Sequence, residues 1–148
     1  MRQLRKKEIK ELNQKIKQTY NIDDFFDKKD KVSMDENVIL KDKDAVFFYH
    51  EEQLIPTLKL LLKNNFLPKV TVDMGAVKFV VSGADVMRPG ITNVEEFKAK
   101  EAVCVIDESH KKALAVAMPL LDSVELMKQT KGKSLNSLHY IGDNIYLI

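Results

Sequence analysis

The stretch that most constrains this chain is Val72 to Ile91, VDMGAVKFVVSGADVMRPGI, where apolar runs alternate with glycine-containing turns. Three of the five glycines in the protein, Gly75, Gly83 and Gly90, fall inside it. Asp73 is placed to cap a helix whose first turn is Met74, Gly75 and Ala76. Ala76 with Val80 and Val77 with Val81 are i,i+4 pairs, so this short helix has an apolar face and Lys78 lies off it, toward solvent. Gly83 stands where the helix should stop in a left-handed turn, and Asp85, Val86 and Met87 should leave it extended. Arg88-Pro89-Gly90 then breaks the extended run, because proline cannot donate to a ladder and glycine permits positive φ. The predicted unit is strand–helix–strand with an exposed, glycine-shaped rim.

Upstream, Arg2 to about Thr19 has helical period, with Ile9, Leu12, Ile16 and Tyr20 on one face. Its cations Arg5, Lys6, Lys7, Lys10 and Lys17 suit either phosphate contact or an ordinary solvated face. Asn21–Lys31 is acidic and turn-rich, anchored by Phe25 and Phe26. Strands are expected at Lys31–Ser33, Asn37–Leu40 and Ala45–His50, the last two joined through the Lys41–Asp44 turn. Pro56 suits the first turn of a helix running through Leu58, Leu61 and Leu62 into Phe66, with Pro68 beyond its end. Downstream, Asn93 with Glu96 has capping-box spacing. Ala102–Ile106 and Ala113–Met118 read as antiparallel strands around a polar turn, and Asp122 with Glu125 marks a short helix. Gly132-Lys133-Ser134 reads as a turn. Ser137–Ile141 and Asn144–Ile148 should form a closing hairpin around Gly142-Asp143.

Read in order, a strand ending VD, then GA, a short helix, SGA, an extended step and PGI resembles the opening signature of the PUA domain. The later strands, Gly132-Lys133 and His139-Tyr140-Ile141-Gly142-Asp143 continue that pattern. PTLKLLLKNNFLP (Pro56–Pro68), running straight into the signature, is similar to the junction in the malignant T-cell-amplified sequence family. That resemblance implies an N-terminal domain at residues 1–67, α+β by its own elements, and a C-terminal PUA-type pseudo-barrel of mixed strands with short helices at residues 68–148. The Asn64–Pro68 join is too short and apolar for a floppy linker, so the two should pack rigidly. The resemblance also implies RNA binding without catalysis in the translation apparatus. The partners implied are the small ribosomal subunit or tRNA, together with a protein resembling density-regulated protein. In PUA domains RNA lies along the first helix, the glycine loop and the last strands. Carried onto this sequence, that implicates Gly75, Ser82, Gly83, Ala84, Pro89 and Gly90, the glycines among them letting a phosphate or sugar reach the backbone. Lys78, Arg88 and Lys133 would supply charge, and His139 or Tyr140 would stack on a base. Ala117 departs from the family pattern, which often has glycine there; its methyl either fills core or crowds a backbone approach.

Other chemistry is thinly supported. Glu108, Ser109 and His110 have triad residue types, but neighbours on a turn do not converge. His50-Glu51-Glu52 lacks the second histidine of a zinc motif, so neither metal nor cofactor is expected. Charge is uneven: residues 1–19 carry +5, residues 20–68 carry −3, and residues 69–148 are neutral. An RNA-binding C-terminal half must therefore act through a local, shaped site rather than a broad basic field. The alternatives are an RNA-targeting accessory to tRNA or rRNA modification, and a protein-interaction module docking through the basic helix. The lone Cys104 in an apolar run and the absence of an apolar segment after the basic start suit a cytoplasmic protein with a buried thiol.

Overall fold

A computed structural model describes all residues from Met1 to Ile148. The elements in chain order are β1 (Arg2–Gln3), α1 (Lys6–Tyr20), β2 (Val32–Asp35), β3 (Val38–Lys41), β4 (Asp44–His50) and β5 (Gln53–Pro56). Then follow α2 (Leu58–Lys63), β6 (Lys69–Val72), α3 (Met74–Val80), β7 (Val86–Met87), a 3-10 turn (Arg88–Gly90) and β8 (Ile91–Val94). The chain continues through β9 (Val103–Asp107), β10 (Ala113–Pro119), α4 (Ser123–Lys128) and β11 (Lys133–Tyr140). The class is α+β, in two sheets.

The first sheet runs β1-β2-β3-β4-β5, antiparallel throughout. The β3–β4 hairpin turns at the expected place, with Lys41 opposite Asp44 and Asp42 at φ 58. Helix α1 lays Leu12 and Ile16 against this sheet, in a cluster with Phe26, Ile39 and Phe47. Each such buried side chain is worth about 1.5–3 kcal/mol relative to exposure. The second sheet has the order β7-β11-β10-β9-β6-β8, with β6 and β9 parallel and the remaining pairs antiparallel. Between the sheets lies one core cluster, in which Val38, Phe48, Leu58 and Leu61 meet Cys104, Ile106 and Val116. The two halves are therefore not beads on a string. They share this apolar core, and the Leu58 N–H to His139 Nε2 bond at 3.1 Å and the Gln53 side chain to Lys100 carbonyl bond at 2.8 Å also cross between them.

Several local expectations are corrected. The N-terminal helix starts at Lys6, because Arg2 and Gln3 pair instead with Met34 and Ser33. Pro56 does not open a helix; it ends edge strand β5 opposite Phe47, where its missing N–H costs no ladder bond. Thr57 caps α2, its hydroxyl accepting from the Leu60 N–H at 3.3 Å and donating to the Ala45 carbonyl at 2.7 Å. Asn93 lies in β8 opposite Thr71 and caps nothing. Lys133 heads β11 rather than a turn. The closing hairpin is absent: after Tyr140 the chain coils, and the Asp143 carboxylate accepts from the Tyr140 and Tyr146 N–H groups. A local carboxylate–amide network has displaced cross-strand pairing there. Ala117 is fully buried in the second sheet's core beside a register shift between Val116 and Ala117, so its methyl fills core space.

Candidate nucleic-acid interface

Helix α3 is built as its sequence requires. The Asp73 carboxylate accepts from the Ala76 N–H at 2.8 Å, and Val80 is buried. At the far end the Ser82 hydroxyl donates to the Lys78 carbonyl at 2.7 Å, and Gly83 takes φ +92 to reverse the chain. The extended return, β7, pairs its Val86 and Met87 with Leu135 and Lys133 of β11. The 3-10 turn then brings the Gly90 carbonyl within 2.9 Å of the Asp73 N–H, tying the end of the loop to the base of the helix. Gly90 serves close approach and not positive φ: an added Cβ would lie 3.1 Å from the Ala76 methyl, a tight contact that a shift of a few tenths of an ångström would relieve.

An open groove of ≈ 660 Å³ results between α3, the Ala84–Gly90 segment and the start of β11. Ala76, Val80 and Val86 lie among its lining, with Phe79, Met87 and Pro89. Two of those apolar side chains are unusually open to solvent, Phe79 at 58% and Met87 at 50%. The Lys78 ammonium lies 5.1 Å from the Phe79 ring centre. At the β11 end Lys133 pairs with Asp85 at 3.1 Å. The Asp85 carboxyl is held below the usual carboxylate range, first by the Ser137 N–H at 2.8 Å and then by Lys133. The groove thus has an apolar, aromatic-edged wall with one ion-paired cation, Lys133, in its lining, and Lys78, which forms no ion pair, packs against Phe79 at its edge. Flat, weakly polar ligands with adjacent negative charge suit it, and a stacked base with its phosphate is such a ligand.

The residues anticipated from sequence divide into three groups. Gly75, Ala84, Pro89, Gly90 and Lys133 line the groove, and Lys78 stands exposed on the same helix. Gly83 and Ser82 shape the loop without lining the groove; a Cβ on Gly83 would sit 2.6 Å from the Tyr140 ring, so the tyrosine packs beneath the loop. His139 needs correction, and Arg88 stands outside the groove lining. Arg88 is half-buried, with Nη1 donating to the Ile91 carbonyl at 3.0 Å and Nη2 to the Met127 carbonyl at 3.4 Å. Those two bonds tie it to β8 and α4, and no carboxylate pairs with its charge. His139 is fully buried, Nε2 accepting from the Leu58 N–H at 3.1 Å and Nδ1–H donating to the Asp143 carboxylate at 2.8 Å. Desolvation holds its pKa below the ordinary histidine value despite Asp143, so it is a neutral pin between the halves and stacks on no base. Phe79 and Met87 were missed. The available signal was an aromatic next to Lys78, outside both apolar i,i+4 pairs of the helix.

Elsewhere, Glu108 and His110 project from an exposed turn. Glu108 accepts from the Met74 N–H at 3.3 Å, and His110 lies 3.3 Å from Asp107, whose carboxylate also accepts the turn amides of His110 and Lys112. These contacts build a turn. The Asp122 carboxylate at the head of α4 accepts from the Ala99 N–H rather than from its own helix. No helix is long and apolar enough to cross a membrane.

Comparison with known proteins agrees with the geometry. The PUA domain model matches residues 68–141, and a model described as a domain of unknown function (DUF1947) matches residues 3–64. An uncharacterized protein of Methanocaldococcus jannaschii is 41% identical over 97% of this chain and 93% of its own. Malignant T-cell-amplified sequence 1 of Danio rerio is 32% identical over 90% of this chain and 82% of its own. Translation machinery-associated protein 20 of Saccharomyces cerevisiae is 34% identical over 71% of this chain, which spans only 62% of that protein. Among solved structures, a hypothetical protein of Pyrococcus horikoshii superposes with a TM-score of 0.80 at 27% identity, over 98% of this chain and 96% of that one.

Proposed function

The chain belongs to the PUA-domain proteins that carry this N-terminal region, with malignant T-cell-amplified sequence 1 among its relatives, and on that premise we propose that it is a non-enzymatic RNA-binding protein of the translation apparatus. The observation that carries the reading is the groove beside α3, where solvent-open Phe79 and Met87 flank a glycine-shaped rim next to Lys78. Stacking a base on Phe79 is worth about 1–3 kcal/mol, and Lys78 adds one phosphate contact. Gly75, Ala84, Pro89 and Gly90 let a strand approach closely, and Lys133 meets the ligand if it exchanges Asp85 for phosphate. The small ribosomal subunit or a tRNA supplies the RNA, in initiation, reinitiation or recycling. A protein resembling density-regulated protein is the proposed partner, and the setting is cytoplasmic. The working unit is residues 68–148, with residues 1–67 as a second domain fused to it through the shared core. The names of the relatives support the translation reading, and the neutral charge of residues 69–148 favours a shaped contact over a diffuse one.

Co-sedimentation of the purified protein with small ribosomal subunits, at low and moderate salt, tests this. Saturable binding that Phe79→Ala and Lys78→Glu each weaken, with folding intact, is the expected result. Binding to free tRNA alone moves the function to a tRNA-processing accessory. Undiminished binding of both folded variants removes the groove from the mechanism.

A further inference from the structure

We propose that the N-terminal half of α1 is a second RNA-contacting surface, in which Lys6, Lys7 and Lys10 meet the phosphate backbone at a distance from the groove; the ligand class rests on the RNA-binding reading above. The first 19 residues hold seven of the protein's 24 Lys and Arg against two acids. The structure sorts those seven. Arg2 is neutralised by Glu8 at 2.9 Å and Lys17 by Asp23 at 2.9 Å, and Lys15 covers the Tyr49 ring at 5.3 Å. Arg5, Lys6, Lys7 and Lys10 are exposed and take part in no ion pair. Leu12 and Ile16 are buried against the first sheet, so the side of α1 that bears Lys6, Lys7 and Lys10 is turned to solvent.

Stability does not explain this arrangement. Cations in the first turns of a helix oppose its dipole, each unfavourably, and the first turn holds a single acid, Glu8. A helix built for stability would place carboxylates there and lysines at its other end. Local rules broken without a structural return are expected at functional surfaces. Acidic residues lie nearby, since Lys6 and Lys10 line a groove shared with Asp23, Asp24, Asp27 and Asp30. Two of these four are ion-paired elsewhere, Asp23 with Lys17 and Asp30 with Lys41 at 3.5 Å, while Asp27 accepts the Lys29 and Asp30 N–H groups of its own turn. Neither Asp24 nor Asp27 comes within ion-pair distance of Lys6, Lys7 or Lys10, so these three cations face an outside partner unpaired. Phosphate is favoured over an acidic protein because the other half of the same chain presents an RNA-type groove and lacks net charge to draw RNA toward it. The basic helix supplies that electrostatic attraction, and the groove supplies shape.

The test is binding of the full-length protein to a single-stranded oligouridylate across a salt series, comparing wild type with Lys6→Gln/Lys7→Gln/Lys10→Gln and, separately, with Phe79→Ala. Losing three phosphate contacts should flatten the slope of log K against log salt by about 2, or on the order of 100-fold weaker binding near 0.1 M salt. The melting temperature of the triple variant should stay level or rise, since the dipole conflict is relieved. Phe79→Ala should weaken binding with the slope unchanged. An unaltered slope in a folded triple variant overturns the second surface and leaves the groove standing. A flattened slope with no effect of Phe79→Ala keeps the second surface and sinks the groove. If the triple variant binds RNA normally but loses small subunits stripped by nuclease, the helix docks an acidic protein and the phosphate assignment is wrong.

Discussion

Gly83 is the position where sequence, backbone and candidate site meet, and Gly83→Ala puts a number on the link. At φ +92 an L-residue suffers left-handed strain of roughly 1–2 kcal/mol. The new methyl would also lie 2.6 Å from Tyr140 Cε1 and 2.8 Å from Cζ, well inside contact distance, so the half-buried ring must swing off its bed. Overpacking of this kind costs about 1–3 kcal/mol. Together the loss is about 2–5 kcal/mol, a fall on the order of 10 °C in melting temperature for a chain of this size. Urea unfolding, read at the midpoint with the m-value unchanged, measures it. The decisive comparison places Gly83→Ala in a Tyr140→Ala background, where the clash is gone and only the φ strain, about 1–2 kcal/mol, should remain. Equal costs in the two backgrounds, within about 0.5 kcal/mol, refute the packing argument, and Tyr140 then has no role in holding the loop that bounds the groove.

Other perturbations separate structural from ligand-facing roles. Lys78→Glu should cost no more than about 1 kcal/mol, its charge then opposing the end of α3, while RNA binding falls; Arg88→Glu should instead lose about 1–3 kcal/mol because it removes the donor to the part-buried Ile91 carbonyl and sets a carboxylate beside it, and equal melting curves for the two would contradict that assignment. His139→Gln should cost about 2–4 kcal/mol by orphaning the Leu58 N–H and the Asp143 carboxylate. Because burial lowers the folded pKa of His139, the unfolded chain binds its proton first. Its contribution is complete above about pH 6.5 and is lost as pH falls through the folded pKa, so His139→Gln should flatten stability against pH in that acid range. Burial raises the Cys104 thiol to about 11, so iodoacetamide at mildly alkaline pH should label it only after unfolding. Cys104→Ser should lose roughly 1–3 kcal/mol in a urea titration by placing a hydroxyl in apolar surroundings.

Much of the architecture is legible in the chain because it rests on local rules. The Asp73 cap, the Gly83 reversal, the Lys41–Asp44 hairpin and the buried runs at Val103–Asp107 and Ala113–Pro119 each follow from a few neighbouring residues. The mistakes have a common cause in tertiary competition. Pro56 is a good first-turn residue, yet strand pairing with Phe47 claimed it and Thr57 took over the cap. The final segment alternates well enough for a strand, but the Asp143 carboxylate collects the amides a hairpin would have used.

The site divides along the same line. Residue order alone placed the glycine turns and an exposed Lys78, because backbone freedom and charge belong to single residues. Whether a polar side chain faces ligand or core depends on partners far away in sequence. His139 is held by Leu58, 81 positions earlier, and Arg88 by Ile91 three positions on together with Met127, 39 positions on; no periodicity within either segment encodes the distant meetings. Phe79 is the converse: neighbouring positions implied an exposed side of α3, but only the assembled sheet shows that this side opens on a groove. Composition and period determined the elements and their order; long-range packing decided which charges remained free to act.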